Sequence, residues 1–275
     1  MTQSAESSGS PSGERESIYD FPEYYELAFG PDSQQEFEFL VAAAKQLAKR
    51  PVRTVFEPAC GTGRLIYRLA AAGFNMLGID LNPRAVEYCR QRLARRRLAG
   101  WVEVADMTDF QLPRPVDLAY NMINSFRHLT REEAAESHLR AVARTVEPGG
   151  LYVLALHLTP GEGPGTDEET WTSRRGTLQV TTRLWTLSKD PVRREERLAL
   201  AFDVVTPRRS FQLRDELTFR TYTRHQLMEL LLRVPEWEIA GTFDFHYDLD
   251  EPIQLNDQTE DVIFVLRREP TNLSR

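Results

Sequence analysis

Cysteine is scarce in this chain. Only Cys60 and Cys89 occur among 275 residues, too few for a disulfide framework, so a reducing compartment is the easier setting. No apolar run approaches the ~20 residues that a membrane helix needs. The first stretch, MTQSAESSGSPSGERES, lacks the apolar segment of a secretory signal. Cysteine and histidine show no zinc spacing and the acidic residues form no magnesium site, so no metal is expected. Positive charge is also short: 34 Lys and Arg face 41 Asp and Glu, for a net charge of −7. Such a field opposes a nucleic-acid partner and favours a small-molecule substrate. These absences together lead to the expectation of a cytoplasmic protein with no membrane segment.

With 41% hydrophobic and 27% charged residues, the chain can bury a core without staples. Its length suits one large domain, or a core with an insertion. The Ser-, Gly- and Glu-rich residues 1–17 read as a disordered tail. Apolar residues at helical spacing, Phe37, Leu40, Val41, Ala44 and Leu47, predict a helix within an N-terminal segment 18–50. Strands and helices then alternate. Strands are expected at 52–56, 75–79, 101–104, 116–120 and 151–158. Helices fall between them, at 64–72, at 83–98 behind an Asn82 cap with Pro83 at the first position, and after a Thr130-Arg-Glu-Glu133 capping box. Pro148-Gly149-Gly150 reads as a turn into the fifth strand.

That alternation argues for a doubly wound, mostly parallel α/β sheet covering 51–158 and 223–269. In such sheets ligands bind beyond the carboxyl ends of the strands. Glu57, Asp80, Asp106, Asn121 and His157 all stand at or just past expected strand ends. Between 159 and 222 the pattern changes to period two, as in Leu198, Leu200, Phe202 and Val204. An antiparallel insertion of about three strands is expected there. A helix opened by Thr223 and two last strands, 237–247 and 261–267, complete the chain.

The segment Val55-Phe-Glu-Pro-Ala-Cys-Gly-Thr-Gly63 joins a strand to a helix through a glycine-containing turn. Glycine allows a tight bend and close approach to a ligand, and the helix start offers free N–H groups. A dinucleotide loop would carry a third glycine three residues beyond Gly63, where Ile66 stands; a Walker A loop would follow Gly63 with Lys-Ser/Thr, where Arg64-Leu65 stands. The loop therefore suits a ligand without phosphate. Asp80 either accepts hydrogen bonds from ribose hydroxyls or caps the next helix, and the loop upstream favours the ribose role.

In this order the motifs resemble motif I and its partners in the class I, Rossmann-like, S-adenosylmethionine-dependent methyltransferases of small-molecule type. The resemblance covers roughly residues 18–158 and the closing strands. It implies a seven-stranded sheet whose strand at 261–267 is antiparallel, and S-adenosyl-L-methionine as the methyl donor. It implies a donor site made by Glu57, Ala59, Gly61, Thr62 and Gly63, by Asp80 with Leu81, by Asp106 with Met107 at the adenine, and by Asn121 on the methionine side. Ala59 replaces the first glycine of the family motif, a minor change if its φ is negative. The aromatics Tyr19, Tyr24, Tyr25 and Phe29 resemble a lid over the donor, with Tyr25 a donor contact; the plainer reading is that they pack the first helix on the sheet.

The segment Asn121-Met-Ile-Asn124-Ser-Phe126-Arg-His128-Leu lacks the Asp/Asn-Pro-Pro-Tyr/Phe motif of many nucleic-acid aminomethyltransferases. It resembles the Asn-Ser-Phe-x-His-Leu form of small-molecule enzymes, so Asn124, Phe126 and His128 are candidate acceptor contacts. His128 and His157 are candidate bases; for His128 a capping or packing role is an equal alternative, and for His157 a plain strand-end role is the preferred one. The insertion, with Trp171 and Trp185, is placed over the acceptor end or at a homodimer surface. Arg90, Arg92 and Arg95–Arg97 invite a nucleic-acid reading, but a solvated helix face that complements the helix dipole is preferred. The expected activity is methyl transfer to N or O of a small molecule. The alternatives are an RNA or protein methyltransferase, a donor-binding protein without turnover, and a nucleotide-dependent oxidoreductase, against which Ile66 argues.

Overall fold

The protein is described here from a computed structural model, which describes residues 17–30, 33–160 and 168–270. The tail expected over 1–17 lies, but for Ser17, outside them. A short 3-10 turn, Ile18–Asp20, leads into α1 (Pro22–Phe29) and α2 (Gln34–Gln46). The core then runs β1 (Thr54–Pro58), α3 (Ile66–Ala71), β2 (Asn75–Asp80), α4 (Pro83–Arg95), β3 (Gly100–Val104), β4 (Val116–Asn121), α5 (Glu132–Thr145) and β5 (Val146–His157). Four strands follow: β6 (Glu168–Arg175), β7 (Leu178–Asp190), β8 (Glu195–Val205) and β9 (Ser210–Arg220). The chain returns through α6 (Arg224–Leu232) to β10 (Trp237–Phe243) and β11 (Asp261–Arg268).

The main sheet has the order β10-β11-β5-β4-β1-β2-β3. Strands β1 to β5 are parallel, and β11 inserts antiparallel between β5 and β10. This is the seven-stranded α/β sheet that the strand–helix alternation and the family resemblance imply. The central strands are buried on both faces, as parallel strands between helix layers must be: every residue of β4 is buried. One face packs Phe56, Leu77 and Tyr152 against Leu139 of α5 and Leu227 of α6. The other packs Val55 and Met76 with Phe39 and Leu40 of α2 and Val86 and Leu93 of α4.

Local chemistry sets several boundaries. The Asn82 side chain accepts from the amides of Arg84 (2.8 Å) and Ala85 (3.3 Å), with Pro83 first in α4. Thr223 and Gln226 cap α6 reciprocally. The expected Thr130 capping box does not form. α5 begins one residue later, behind Arg131 and with no side-chain cap; there Arg220 takes the Thr130 carbonyl, and Arg194 and Arg220 take the Glu132 carboxylate. Pro148-Gly149-Gly150 is not a turn before β5 but an irregularity within it, where the register to β4 shifts. Gly149, at φ +81°, lies against Lys49 and accepts its amide hydrogen at 2.9 Å.

The insertion is a four-stranded antiparallel sheet, β6-β7-β8-β9, rather than about three strands. The added strand, β6, is polar on both faces except at Trp171, so it carries no period-two signal. The sheet's apolar face does not stand free. Val180, Leu200, Phe202 and Val204 enclose Ile18, Leu27 and Ala28 of the N-terminal segment. Trp171 meets Phe29 edge-on and donates its indole N–H to the Ala28 carbonyl at 2.9 Å. The first helix thus packs on the insertion sheet.

Candidate functional site

The turn after β1 is wound by three left-handed residues in alternation: Ala59 (φ +55°), Gly61 (+52°) and Gly63 (+69°). The two glycines serve different ends. Open space surrounds the position of a side chain at Gly61, whereas a side chain at Gly63 would run into Cys89 Sγ of α4. The first leaves room for a ligand and the second lets helix and loop close-pack. Ala59 does not have the negative φ that would make it a neutral replacement. Held left-handed, it costs about 1 kcal/mol.

Asp80 ends β2 facing this turn. Its Oδ2 accepts the Gly61 amide at 2.7 Å, and its Oδ1 accepts the Asn82 amide at 2.8 Å. A carboxylate offers about four acceptor positions, so each oxygen keeps one for a ligand. Burial pushes the Asp80 pKa up, and the two amide hydrogen bonds pull against it. The next residue, Leu81, is 71% exposed although apolar. Beyond β3, Asp106 Oδ1 accepts from the Thr108 amide (2.7 Å) and hydroxyl (2.8 Å), fixing a tight turn that includes Met107.

These groups line one cavity of about 780 Å³, within the range of small-molecule sites. Tyr25, Ala59, Gly61, Thr62, Asp80, Leu81, Asp106 and Met107 stand on its wall, and so do Asn124 and His128. Glu57, Gly63, Asn121 and Phe126 do not. Glu57 is buried behind the loop, accepts the Tyr120 hydroxyl at 2.8 Å, and has its pKa driven well up by burial. Asn121 holds the loop's entry, donating to the Pro58 carbonyl at 2.7 Å. Phe126 is fully buried among His138 and Tyr222.

The two candidate bases part company. His128 Nε2 lies 3.2 Å from the Tyr19 hydroxyl, with Phe219 edge-on at 4.7 Å, and its ring opens on the cavity. Desolvation by the surrounding groups, with Arg127 beside it, lowers its pKa to about 4. At neutral pH it is an uncharged imidazole able to take a proton. His157 is not on the cavity wall. Its Nδ1 lies 2.5 Å from Asp261 Oδ1 and its ring meets Phe245 at 5.1 Å.

The wall opposite the loop comes from distant segments. Ser17 donates its hydroxyl to Asp215 of β9 at 2.5 Å, and the same carboxylate oxygen accepts the Ile18 amide at 2.9 Å. Asp20 accepts from Asn82 Nδ2 at 2.9 Å. Glu26 of α1 is 6% exposed; it accepts the Thr62 hydroxyl at 2.6 Å and pairs with Arg92. Asp20, Ile123 and Phe219 line the cavity although sequence reading did not single them out. Ile123 and Asn124 are both left-handed, at φ +35° and +67°. This left-handed backbone at non-glycine residues has no sequence signature.

The arginine run on α4 is not one solvated face. Arg92 is 8% exposed, paired with Glu26 and held between the rings of Tyr67 and Tyr88 at 4.9 and 5.4 Å. Arg90 pairs with Glu103 at 2.8 Å, and Arg96 lies over Tyr67 at 4.4 Å. Of these arginines, Arg92 holds the N-terminal helix, through Glu26.

Residues 55–150 match the family model of a methyltransferase domain. Among curated relatives, the chain is 27% identical over 120 residues to the dTDP-3-amino-3,4,6-trideoxy-alpha-D-glucopyranose N,N-dimethyltransferase of Streptomyces venezuelae, covering 44% of this chain and 47% of the relative. The match spans about half the length of the curated relatives. Solved structures agree over far more of the chain. An S-adenosylmethionine-dependent methyltransferase from Clostridium acetobutylicum superposes with a TM-score of 0.74 at 15% identity, covering 90% of this chain and 96% of that one. The sugar N-methyltransferase KedS8 of a Streptoalloteichus species does so with 0.70 at 19%, covering 98% and 100%. These are likenesses of fold, and they extend through the insertion.

Proposed function

We infer from this core, a class I S-adenosylmethionine-dependent methyltransferase domain, that the protein binds S-adenosylmethionine and transfers its methyl group to nitrogen or oxygen of a small molecule. The observation that carries the reading is Asp80. Its carboxylate is tied by one oxygen to the loop at Gly61 and by the other to Asn82, and it opens on a cavity flanked by apolar Leu81 and Met107. That set fits an adenosine: a carboxylate for the ribose hydroxyls, two apolar surfaces for the base, and Asp106 for its amino group. Gly61 and Ala59 leave room for the methionine portion.

The bound donor supplies an activated methyl group on a sulfonium, and transfer is an in-line displacement. The chain's own residues then provide alignment and exclusion of water. Tyr19, Tyr25 and α1 cover the cavity, and Glu26 ties that cover to the loop through Thr62. The acceptor meets Asn124, Ser125, His128, Tyr19 and Phe219, a neutral and partly aromatic wall. A neutral amine needs its lone pair free to attack, and a hydroxyl must lose its proton. His128, kept uncharged with its pKa lowered to about 4, can accept a hydrogen bond from either group and orient it for attack. The involvement of Arg90 and Arg92 in pairs within the chain supports a small acceptor over RNA.

Relatives named for methylating an amino sugar make nucleotide-linked amino sugars the first acceptors to try. The test is a mass-spectrometric screen of amines and hydroxyl compounds with S-adenosylmethionine. A product heavier by one methylene, formed together with S-adenosylhomocysteine, is expected. Donor binding without any methylated product across the screen would instead favour a binding protein without turnover.

A further inference from the structure

His138 of α5 is fully buried and outside the cavity, yet both of its ring nitrogens are engaged. Nδ1 lies 2.8 Å from the Met107 carbonyl, and Nε2 lies 2.8 Å from the Tyr152 hydroxyl. The Tyr152 hydroxyl is also 2.8 Å from Asn121 Oδ1, and Asn121 Nδ2 donates to the Pro58 carbonyl at 2.7 Å. A continuous line of polar contacts at 2.7–2.8 Å thus runs from the turn after β3, through α5, β5 and β4, to the end of β1. Met107 lines the cavity at one end of this line; at the other, Pro58 immediately precedes Ala59, which also lines it.

We infer that His138 is a positioning residue for donor binding: it fixes the Met107 peptide directly, while Tyr152 and Asn121 beside it fix the entry to the loop at Pro58. The inference rests on the donor site proposed above.

The hydrogens in the line can be counted. Its contacts are Met107–His138, His138–Tyr152, Tyr152–Asn121 and Asn121–Pro58. The two carbonyls only accept. Asn121 must present its amide nitrogen to Pro58, which leaves Oδ1, an acceptor, facing Tyr152. Tyr152 brings one proton, and a neutral imidazole brings one. An imidazolium would complete every contact, but burial holds the His138 pKa near 4 against the pull of the Met107 carbonyl and Asp106. The groups facing the ring are Met107 and Asp106 from the turn after β3, Phe126 from the segment after β4 and Tyr152 from β5. With the neutral ring's hydrogen on Nδ1, directed at Met107, the Tyr152 proton has two places to go: His138 Nε2 or Asn121 Oδ1. The Met107 end is held in both arrangements. The Asn121 end tightens in only one.

Two substitutions cut the line on opposite sides of the ring. In His138→Asn the amide nitrogen stands near the place of Nδ1, keeping Met107 and losing Tyr152. In His138→Gln the amide reaches the place of Nε2, keeping Tyr152 and releasing Met107. Tyr152→Phe cuts the line in the middle. Calorimetry on the full chain uses two probes, S-adenosylhomocysteine and 5′-methylthioadenosine, which shares the adenosine but has no amino-acid portion. His138→Gln should weaken both probes roughly tenfold, the scale of a lost buried hydrogen bond. Tyr152→Phe should weaken S-adenosylhomocysteine roughly tenfold and leave 5′-methylthioadenosine within about twofold, whereas His138→Asn, which keeps Met107 and leaves the Tyr152 proton to Asn121, should leave both probes within about twofold. Equal losses for both probes in every variant, or no losses, would overturn the inference.

A wild-type protein that binds neither probe refutes the donor reading itself. Nitrogen NMR of the His138 ring needs no ligand and checks the line separately. A neutral ring protonated at Nδ1 is expected at pH 7, and the opposite tautomer would overturn the assignment.

Discussion

One wall of the cavity is held by backbone and the other by side chains. At the turn between β1 and α3, amide hydrogens of Gly61 and Asn82 fix Asp80, and three left-handed residues set the curve. All of this lies within a few residues of two adjacent parallel strands. The facing wall joins Ser17 to Asp215, Tyr19 to His128 and Arg127 to Glu196, across 198, 109 and 69 residues. A wall made by neighbouring strands is ready once the sheet forms. A wall made by distant side chains depends on the insertion sheet and the N-terminal helix arriving together. On the proposed function, the donor falls to the first wall and the choice of acceptor to the second.

The largest test strikes the joint between the walls. Glu26→Ala leaves Arg92 buried without its partner, and removing one member of a buried pair costs about 3–5 kcal/mol. Urea unfolding should show that loss, together with weaker donor binding as Thr62 is released. A change under about 1 kcal/mol would mean that α1 is not latched to the loop through this pair.

The effect of acid on the buried core comes next. His138 is fully buried with a pKa near 4, against about 6.5 in an unfolded chain. Between these values the unfolded chain holds a proton that the folded one refuses, so stability is full above pH 6.5 and declines as pH falls toward 4. Relative to His138→Asn, the wild type should lose about 3 kcal/mol between pH 7 and pH 4. Parallel pH profiles for the two proteins would show that the ring is protonated when folded.

Asp80→Asn tests the first wall alone. The loss of a charged acceptor of two ligand hydrogen bonds should weaken the donor roughly a hundredfold, with a stability loss of about 1–3 kcal/mol because the single amide oxygen keeps only one of the Gly61 and Asn82 bonds. Unchanged donor affinity would move the ribose elsewhere. The smallest effect is at Ala59. Ala59→Gly relieves the left-handed strain but adds freedom to the unfolded chain, so a net gain within about 1 kcal/mol is expected from thermal melts. A loss would indicate that the alanine methyl packs against something that matters.

The same contrast explains what could be read before the structure. The first wall was legible because glycines, strand-end carboxylates and an Asn-Pro helix start act over a few residues. Gly63 shows the limit: its glycine serves packing on Cys89, which spacing cannot separate from ligand contact. The second wall was hardly legible. Phe219 reads as one more apolar residue in an alternating strand, and only the fold brings it against His128. His157 stands at a strand end as Asp80 does, but β11 lies beside β5 and supplies Asp261 as its partner. Arg92 reads as surface charge until α1 places Glu26 over it.

On the proposed function, the wall around Asp80 is a site for adenosine joined to methionine. Calorimetric titration of the full chain with S-adenosylmethionine and, separately, with NAD tests it most directly. One-to-one binding of S-adenosylmethionine and none of NAD is the predicted result. Binding of NAD, or heat from neither ligand, would contradict the account.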